Sequence, residues 1–339
     1  MSEPVGVAMI GTGRWAGRLA QAIHRSNLLE LVTCYSRNPE KRAAFAEKFE
    51  CGAAPSLDAA IGHPEVEGVL LVTPNNVHAQ LTLVCAEAGK HVYSEKPIAD
   101  TMEDGFTMRD ACDAVVVTLF VGHCFRRLGA ARKTKELLEE GKLGEVVLAE
   151  ANFSLKSSGL TPESWRYYRE TCPGGPLMQL GIHHADTLQY LLGPVESVYG
   201  SFAHLITEAE IDDVSMAMLE FESGARGVLS SSYVSPKTFY IRLYGTEATL
   251  DYTTDMSVWP NADKVDEATA LTLVTDAGKE IIPFQPRDMV LEELEEFAQC
   301  VRGEAIPETG APEALAALQV IRGAIESYER GKPVWLEAI

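Results

Sequence analysis

The sequence predicts two joined domains. A doubly wound α/β domain spans residues 1–122, and an α+β domain with a large, mainly antiparallel open sheet spans residues 123–339. Three observations carry this. The chain has 339 residues, too many for one ordinary core and well suited to two. Its first 122 residues alternate short apolar runs with amphipathic helical stretches, as parallel strands buried on both faces require. From Val195 to Ile282, strand follows strand with turn residues between.

The elements follow in order. "VGVAMIG" is a strand and Trp15 to Ser26 a helix; "LELVTCYS" is a strand and Pro39 to Phe49 a charged amphipathic helix. "GVLLVTP", "HVYSEKP" and "AVVVTLFVG" are strands, separated by helices over Val77–Ala88 and Thr101–Cys112. Beyond Gly122, a helix from Ala130 to Glu140 stops at Gly141, where glycine favours helix termination. "EVVLAEANFS" is a strand, and after a Pro/Gly-rich segment a helix runs from about Leu177 to Leu192. "SMAMLEFESGARGVLSSSYV" reads as a hairpin about Ser223-Gly224. Helices over Met289–Arg302 and Pro312–Arg330 close the second domain, the last placed to pack back on the first.

Composition narrows the function. At 46% hydrophobic and 23% charged residues the chain suits a soluble globular protein. Its 49 acidic against 29 basic residues give a charge of -20, which repels nucleic acid and anionic membranes. A strand-like run that begins by Val5 leaves no room for a signal peptide, and no apolar stretch approaches a membrane span. The seven cysteines are scattered without a CxxC, as reduced thiols in a cytoplasmic protein would be. No metal is expected, because His183 and His184 diverge on a helix and no acid or cysteine stands at ligand spacing.

"GTGRWAG" follows the first strand and opens the first helix. Gly11 permits the sharp turn, and Gly13 lets the backbone approach a pyrophosphate seated on the helix N-terminus, with Thr12, Arg14 and Trp15 around it. This is a Rossmann dinucleotide site. About 20 residues on, an NAD-specific site carries an acid for the ribose hydroxyls. Here Ser36 and Arg37 occupy the strand end instead, and Arg37 suits a 2′-phosphate, so NADP is the expected cofactor. Arg37 stacked on the adenine of NAD stays open as the alternative.

Three further stretches end strands, where ligands bind in such sheets: "TPNNVH", "EKP" and "GHCFRR". Together with "GGPLMQLGIHHAD" and "YGTEATLDY", they resemble the glucose–fructose oxidoreductase/inositol dehydrogenase (Gfo/Idh/MocA) family over nearly the whole chain. The resemblance implies a catalytic Lys96 beside the nicotinamide, with Glu95 near its ribose and a frequently cis bond before Pro97. It places Thr73, Pro74, Asn75 and His78 along the cofactor, and Trp165 and Arg166 near the nicotinamide end and the substrate. Oxidising a secondary alcohol builds negative charge on oxygen, so a cation such as Lys96 and a separate base are needed.

Wound at 100° per residue, Gln179, His183, Asp186 and Tyr190 fall within about 60° of arc, a stripe without Lys or Glu. The resemblance makes His183 the general base and Asp186 mainly structural. Gln179 stands where the family usually has aspartate. An amide can orient the imidazole but carries no charge to stabilise the imidazolium. His184 points about 100° away, toward a core or pocket wall. Arg126, Trp165, Arg166, Tyr168 and Arg169, with His183 and His184, are the residues expected to line the substrate pocket.

The resulting expectation is an NAD(P)-dependent dehydrogenase or reductase acting on a ring hydroxyl of a sugar, cyclitol or sugar derivative, assembled as a homodimer or homotetramer. Two alternatives are a glycosidase that uses transient oxidation by resident NAD, and a non-catalytic NAD(P)-binding sugar sensor.

Overall fold

In the computed structural model, which describes residues 3–157, 159–259 and 261–339, the first chain segment forms β1 (Val5–Ile10), α1 (Arg14–Ile23), β2 (Leu29–Tyr35), α2 (Pro39–Lys48), β3 (Gly52–Ala53) and α3 (Leu57–Ile61). It continues with β4 (Gly68–Leu71), α4 (His78–Glu87), β5 (His91–Glu95), α5 (Met102–Ala114) and β6 (Leu119–Gly122). The strands are all parallel, in the order β3-β2-β1-β4-β5-β6. Every residue of β1, β4 and β6 is buried, which is why these strands read as continuous apolar runs. Asn38, Ser56 and Thr101 each cap the following helix by accepting a backbone N–H, worth about 1 kcal/mol apiece. The order reverses between β1 and β4, so the loops after those strands open the crevice where such sheets bind ligands.

The first segment differs from the sequence reading in one strand boundary and in two short added elements. The expected strand "AVVVTLFVG" shrinks to β6, because α5 runs on to Ala114 and the chain turns at Val116, which is 88% exposed with φ 57°. β3 and α3, absent from that reading, are two and five residues long, too short to show a period.

The second chain segment forms α6 (Gly129–Glu139), β7 (Val146–Ser154), α7 (Ile182–Leu192), β8 (Val195–Ala203), β9 (Val214–Phe221), β10 (Arg226–Ser232), β11 (Thr238–Gly245), β12 (Thr249–Thr254), β13 (Thr269–Thr275) and β14 (Gly278–Ile281). Then come α8 (Met289–Val301), α9 (Ala311–Arg330) and β15 (Val334–Trp335). The sheet order is β14-β13-β12-β11-β7-β10-β9-β8-β15, with only β7 and β10 paired in parallel. β9 and β10 form the expected hairpin, turning at Gly224 with φ 88°. Alternation along β9 buries Ala217, Leu219 and Phe221 and exposes Met216 and Met218 on the other face. Asp266 caps α6 from far along the chain, its carboxylate accepting the N–H groups of Gly129 and Ala130.

The chain divides into two units, Met1–Cys124 with Met289–Leu315, and Phe125–Asp288 with Ala316–Ile339. The sequence reading placed all of residues 123–339 in the second domain, whereas α8 and the start of α9 group with the parallel sheet. The ring of Phe297, on α8, covers β4 at Gly68, where an added Cβ would stand 2.9 Å from it. Among the described residues, no helix is long and apolar enough to cross a membrane.

Candidate active site

In the first unit the site grows from the β1–α1 turn. Gly11 has φ 102°, and an added Cβ would stand 2.1 Å from the Val72 carbonyl oxygen, so only glycine fits. Gly13 precedes α1 without a side-chain cap, and a Cβ built on it meets nothing within 4 Å. Uncapped N–H groups at the start of a ten-residue helix, with open space beside them, fit a pyrophosphate.

Thr12 donates to Ser36 Oγ at 3.0 Å, tying this turn to the end of β2. Arg37 is exposed there. Arg42, which sequence reasoning passed over, reaches back from α2 to the Ser36 carbonyl at 3.1 Å and lies over the Tyr35 ring at 5.5 Å. Its signal was its place one turn into the helix after the strand end.

The loops after β4 and β5 are braced together. Each ring nitrogen of the buried His78 faces a carbonyl, Pro97 O at 3.0 Å and Thr73 O at 3.1 Å, and burial pushes its pKa down. Asn75 donates to Asp100 at 3.1 Å. His78 and Asn75 thus hold the loop that carries Thr73 and Pro74. The Lys96–Pro97 peptide is cis, and Lys96 is half-buried. Beside it, the buried Glu95 carboxyl accepts from the Trp15 indole and, at 3.3 Å, from the Lys96 N–H. Burial pushes its pKa up to about 7, against the pull of Lys96, Trp15 and Tyr93.

In the second unit the site grows from the Gly174-Gly175 turn, where both glycines have positive φ. The expected helix from Leu177 does not begin as an α-helix. Leu177–Gly181 is a π-turn, and α7 starts only at Ile182. Gly181 permits it, since a Cβ there would crowd Leu177 at 2.7 Å and the Ser231 hydroxyl at 3.1 Å. A π-turn adds a residue to the turn, so the winding at 100° holds for His183, Asp186 and Tyr190 but not for Gln179.

Gln179 and His183 are 4% and 5% exposed. The His183 ring lies 4.4 Å from Phe125 and 5.9 Å from Phe153, centroid to centroid. Trp259, which sequence reasoning did not single out, stacks on Phe125 at 5.5 Å. His184 bonds the Asn152 carbonyl through Nε2 at 3.1 Å and packs on Phe239 at 4.5 Å; burial pushes its pKa down to about 4. It is a neutral wall histidine.

Arg126 lies buried against Asp186, Nε to Oδ2 at 3.0 Å with a second bond from Nη2 to Oδ1, and covers the Tyr190 ring at 5.2 Å. Removing either charge would break this buried pair, at a cost of about 3–5 kcal/mol. Trp165 packs on a small core of Cys172, Ala209, Ile211 and Tyr233, with the exposed Arg166 over its ring at 4.3 Å. Tyr168 is exposed, its hydroxyl bonded to Pro162 O at 2.9 Å, and Arg169 pairs with Asp212 at 2.9 Å.

Comparison with known proteins decides the family. Residues 5–123 match the model of an oxidoreductase family with an NAD-binding Rossmann fold, and residues 131–251 match the GFO/IDH/MocA C-terminal domain. The chain belongs to the Gfo/Idh/MocA family. It is 26% identical to the 1,5-anhydro-D-fructose reductase of Ensifer adhaerens, over 91% of both chains. It is 27% identical to D-xylose 1-dehydrogenase (NADP(+)) 2 of Haloferax volcanii, over 91% of this chain and 92% of that one. An oxidoreductase crystal structure from Desulfitobacterium hafniense superposes with a TM-score of 0.95 at 39% identity, covering 99% of this chain and 98% of that one. A levoglucosan dehydrogenase complexed with NADH shares the fold, with a TM-score of 0.88 at 21% identity over 99% and 100% of the two chains. This family member is therefore an oxidoreductase with an NAD(P)-binding Rossmann domain.

Proposed function

We infer that this chain moves hydride between NAD(P) and a ring secondary hydroxyl or ketone of a sugar, cyclitol or sugar derivative. The observation that carries the reading is Lys96, half-buried at the carboxyl end of β5 beside Glu95, in a sheet whose β1–α1 turn is shaped for a dinucleotide. Relatives named as reductases and dehydrogenases of small sugars support the substrate class, and they do not favour the glycosidase alternative.

The bound dinucleotide supplies or accepts the hydride. Gly11, Thr12, Gly13, Arg14 and Trp15 hold its pyrophosphate end, and Ser36 and Arg37 its adenosine ribose. Thr73, Pro74, Asn75 and His78 shape the loop along it. Lys96 stabilises the charge that grows on the substrate oxygen, and His183 takes the hydroxyl proton. Gln179 orients the imidazole or holds a substrate hydroxyl. Trp165, Arg166, Tyr168, Arg126 and His184 are assigned to the substrate side, Arg126 and His184 as buried supports.

NADP is the preferred cofactor in this reading. Arg37 at the strand end supports it, as do the names of the Haloferax volcanii enzyme and the Desulfitobacterium hafniense protein, given for NADP(+) and NADPH. The open sheet face with Met216 and Met218, which also holds a cavity of about 360 Å³ beside Asn152, Ser230 and Tyr240, is assigned to a second subunit in a dimer or tetramer. Light scattering at micromolar concentration tests the assembly, and a strictly monomeric particle rejects it. The function is tested by following nicotinamide absorbance with each dinucleotide across a panel of sugars and cyclitols. Cofactor binding with no reduction by any member would favour the sensor reading.

A further inference from the structure

The turn from β2 into α2, Ser36-Arg37-Asn38, is fastened on both sides of Arg37. Thr12 Oγ1 donates to Ser36 Oγ at 3.0 Å, and Ser36 Oγ donates to the Asn38 carbonyl at 3.2 Å. Asn38 caps α2 by accepting the Lys41 N–H at 2.7 Å. Arg42, just beyond, spans the turn. Its Nη1 donates to the Ser36 carbonyl at 3.1 Å, and its guanidinium lies over the Tyr35 ring at 5.5 Å. The Arg42 main chain is tied as well: its N–H donates to the Asn38 carbonyl at 3.1 Å, and its carbonyl accepts from the Cys34 thiol at 3.7 Å. Arg42 is half-buried, whereas Arg37 is exposed.

The Ser36 carbonyl belongs to the peptide unit that ends in the Arg37 N–H. That peptide is trans, so its carbonyl and its N–H point in opposite directions within one plane. Holding the carbonyl on the Arg42 side therefore turns the N–H away from Arg42. Among the described residues, neither this N–H nor the Arg37 side chain has a hydrogen-bond partner. A backbone donor and a guanidinium on one residue suit a phosphate, whose oxygens accept from both. A peptide plane fixed beforehand binds such a group without the ordering cost of a loose one.

We propose that Arg42 is a positioning residue for NADP. Through the Ser36 carbonyl it fixes the Ser36–Arg37 peptide, so that Arg37 presents its N–H and its guanidinium together to the 2′-phosphate. Arg42 itself does not touch the phosphate. The inference rests on the NADP reading above and deepens it.

The test titrates the full-length protein with NADPH and NADH, followed by cofactor fluorescence. Arg42→Ala should lower NADPH affinity about ten-fold and leave NADH affinity within about two-fold, because NADH carries only a hydroxyl at that position. Lysine keeps a charged donor for the carbonyl, so Arg42→Lys should recover most of the loss. Adding Arg42→Ala to Arg37→Ala should change the ratio of the two affinities no further, since both act through one contact. Equal losses for both dinucleotides would make Arg42 a brace for the whole site and overturn the proposal. A further loss of NADPH affinity in the double variant would mean that Arg42 meets the phosphate itself, and would overturn it too. An NADPH preference that survives Arg42→Ala rejects the role of Arg42 and leaves the NADP reading standing. Equal affinities in the parent protein reject both.

Discussion

The first unit buries an acid, Glu95, pushed up to about 7; the second buries a base, His184, pushed down to about 4. Burial is the leading cause in both, and both groups are driven toward their neutral forms. The two differ in company. Glu95 keeps a cation and N–H donors that restore its charge near neutral pH, whereas His184 has one backbone carbonyl and an aromatic wall. The difference separates a group poised to titrate from a group held inert.

The largest effects should come from the residues proposed to do chemistry in each unit. His183→Ala should lower turnover by about 10²- to 10⁴-fold, the usual worth of a general base. Lys96→Ala should reduce turnover sharply with cofactor affinity nearly intact, because its charge is needed mainly in the transition state. Steady-state rates and NADPH titrations of both variants measure the split. Near-normal turnover in His183→Ala would move the base elsewhere, to Lys96 or Tyr168.

Stability against pH comes next, and the two units should move in opposite directions. The folded Glu95 binds a proton up to about pH 7, against an ordinary value of 4.5. Its contribution is therefore complete at low pH and is lost as pH rises from 4.5 to 7, by about 3 kcal/mol. The folded His184 resists protonation down to about pH 4, against an ordinary 6.5. Its contribution is complete above 6.5 and is lost as pH falls toward 4, again by about 3 kcal/mol. The two nearly cancel in the whole chain. Urea unfolding between pH 4.5 and 7 should show it: Glu95→Gln should make stability rise with pH, and His184→Gln should make it fall. Parallel curves for both variants would show that these groups do not set the dependence.

Smaller effects probe specificity and tuning. If Arg37 binds a 2′-phosphate, NADP should bind at least about ten-fold tighter than NAD, near 1.4 kcal/mol, and Arg37→Ala should erase the difference. Equal affinities in the parent protein would leave Arg37 without that role. Gln179→Asp introduces a carboxylate that favours the imidazolium of His183, so the rising limb of the oxidation profile should move to higher pH, by about one unit. An unmoved limb would separate residue 179 from the base.

The glycine turn and the Glu-Lys-Pro strand end were legible because their chemistry is local: a few consecutive residues define both the backbone path and the ligand it suits. The parallel sheet was legible because strands buried on both faces cannot hide their composition. By contrast, Glu293, which accepts from the Tyr93 hydroxyl, lies 200 residues away on α8, and no period or spacing links the two. For the same reason the sequence reading kept α8 with the second domain, whereas it groups with the first unit; an amphipathic helix declares its apolar face but not the sheet it covers. The direction of Gln179 was not legible, because a uniform winding assumes the α-helical period that the π-turn breaks.

That turn also bears on how such a site can change over time. A π-turn holds one residue more than an α-turn, so losing a single residue from Leu177–Gly181 would regularise the helix and leave α7 where it is. Everything before the lost residue would rotate by about 100° relative to His183. A different side chain would then take the direction now held by each of its neighbours, without a single substitution. Counting residues back from the histidine is thus an unsafe way to match this position between relatives, and length variation here is a route to a new neighbour beside an unchanged histidine.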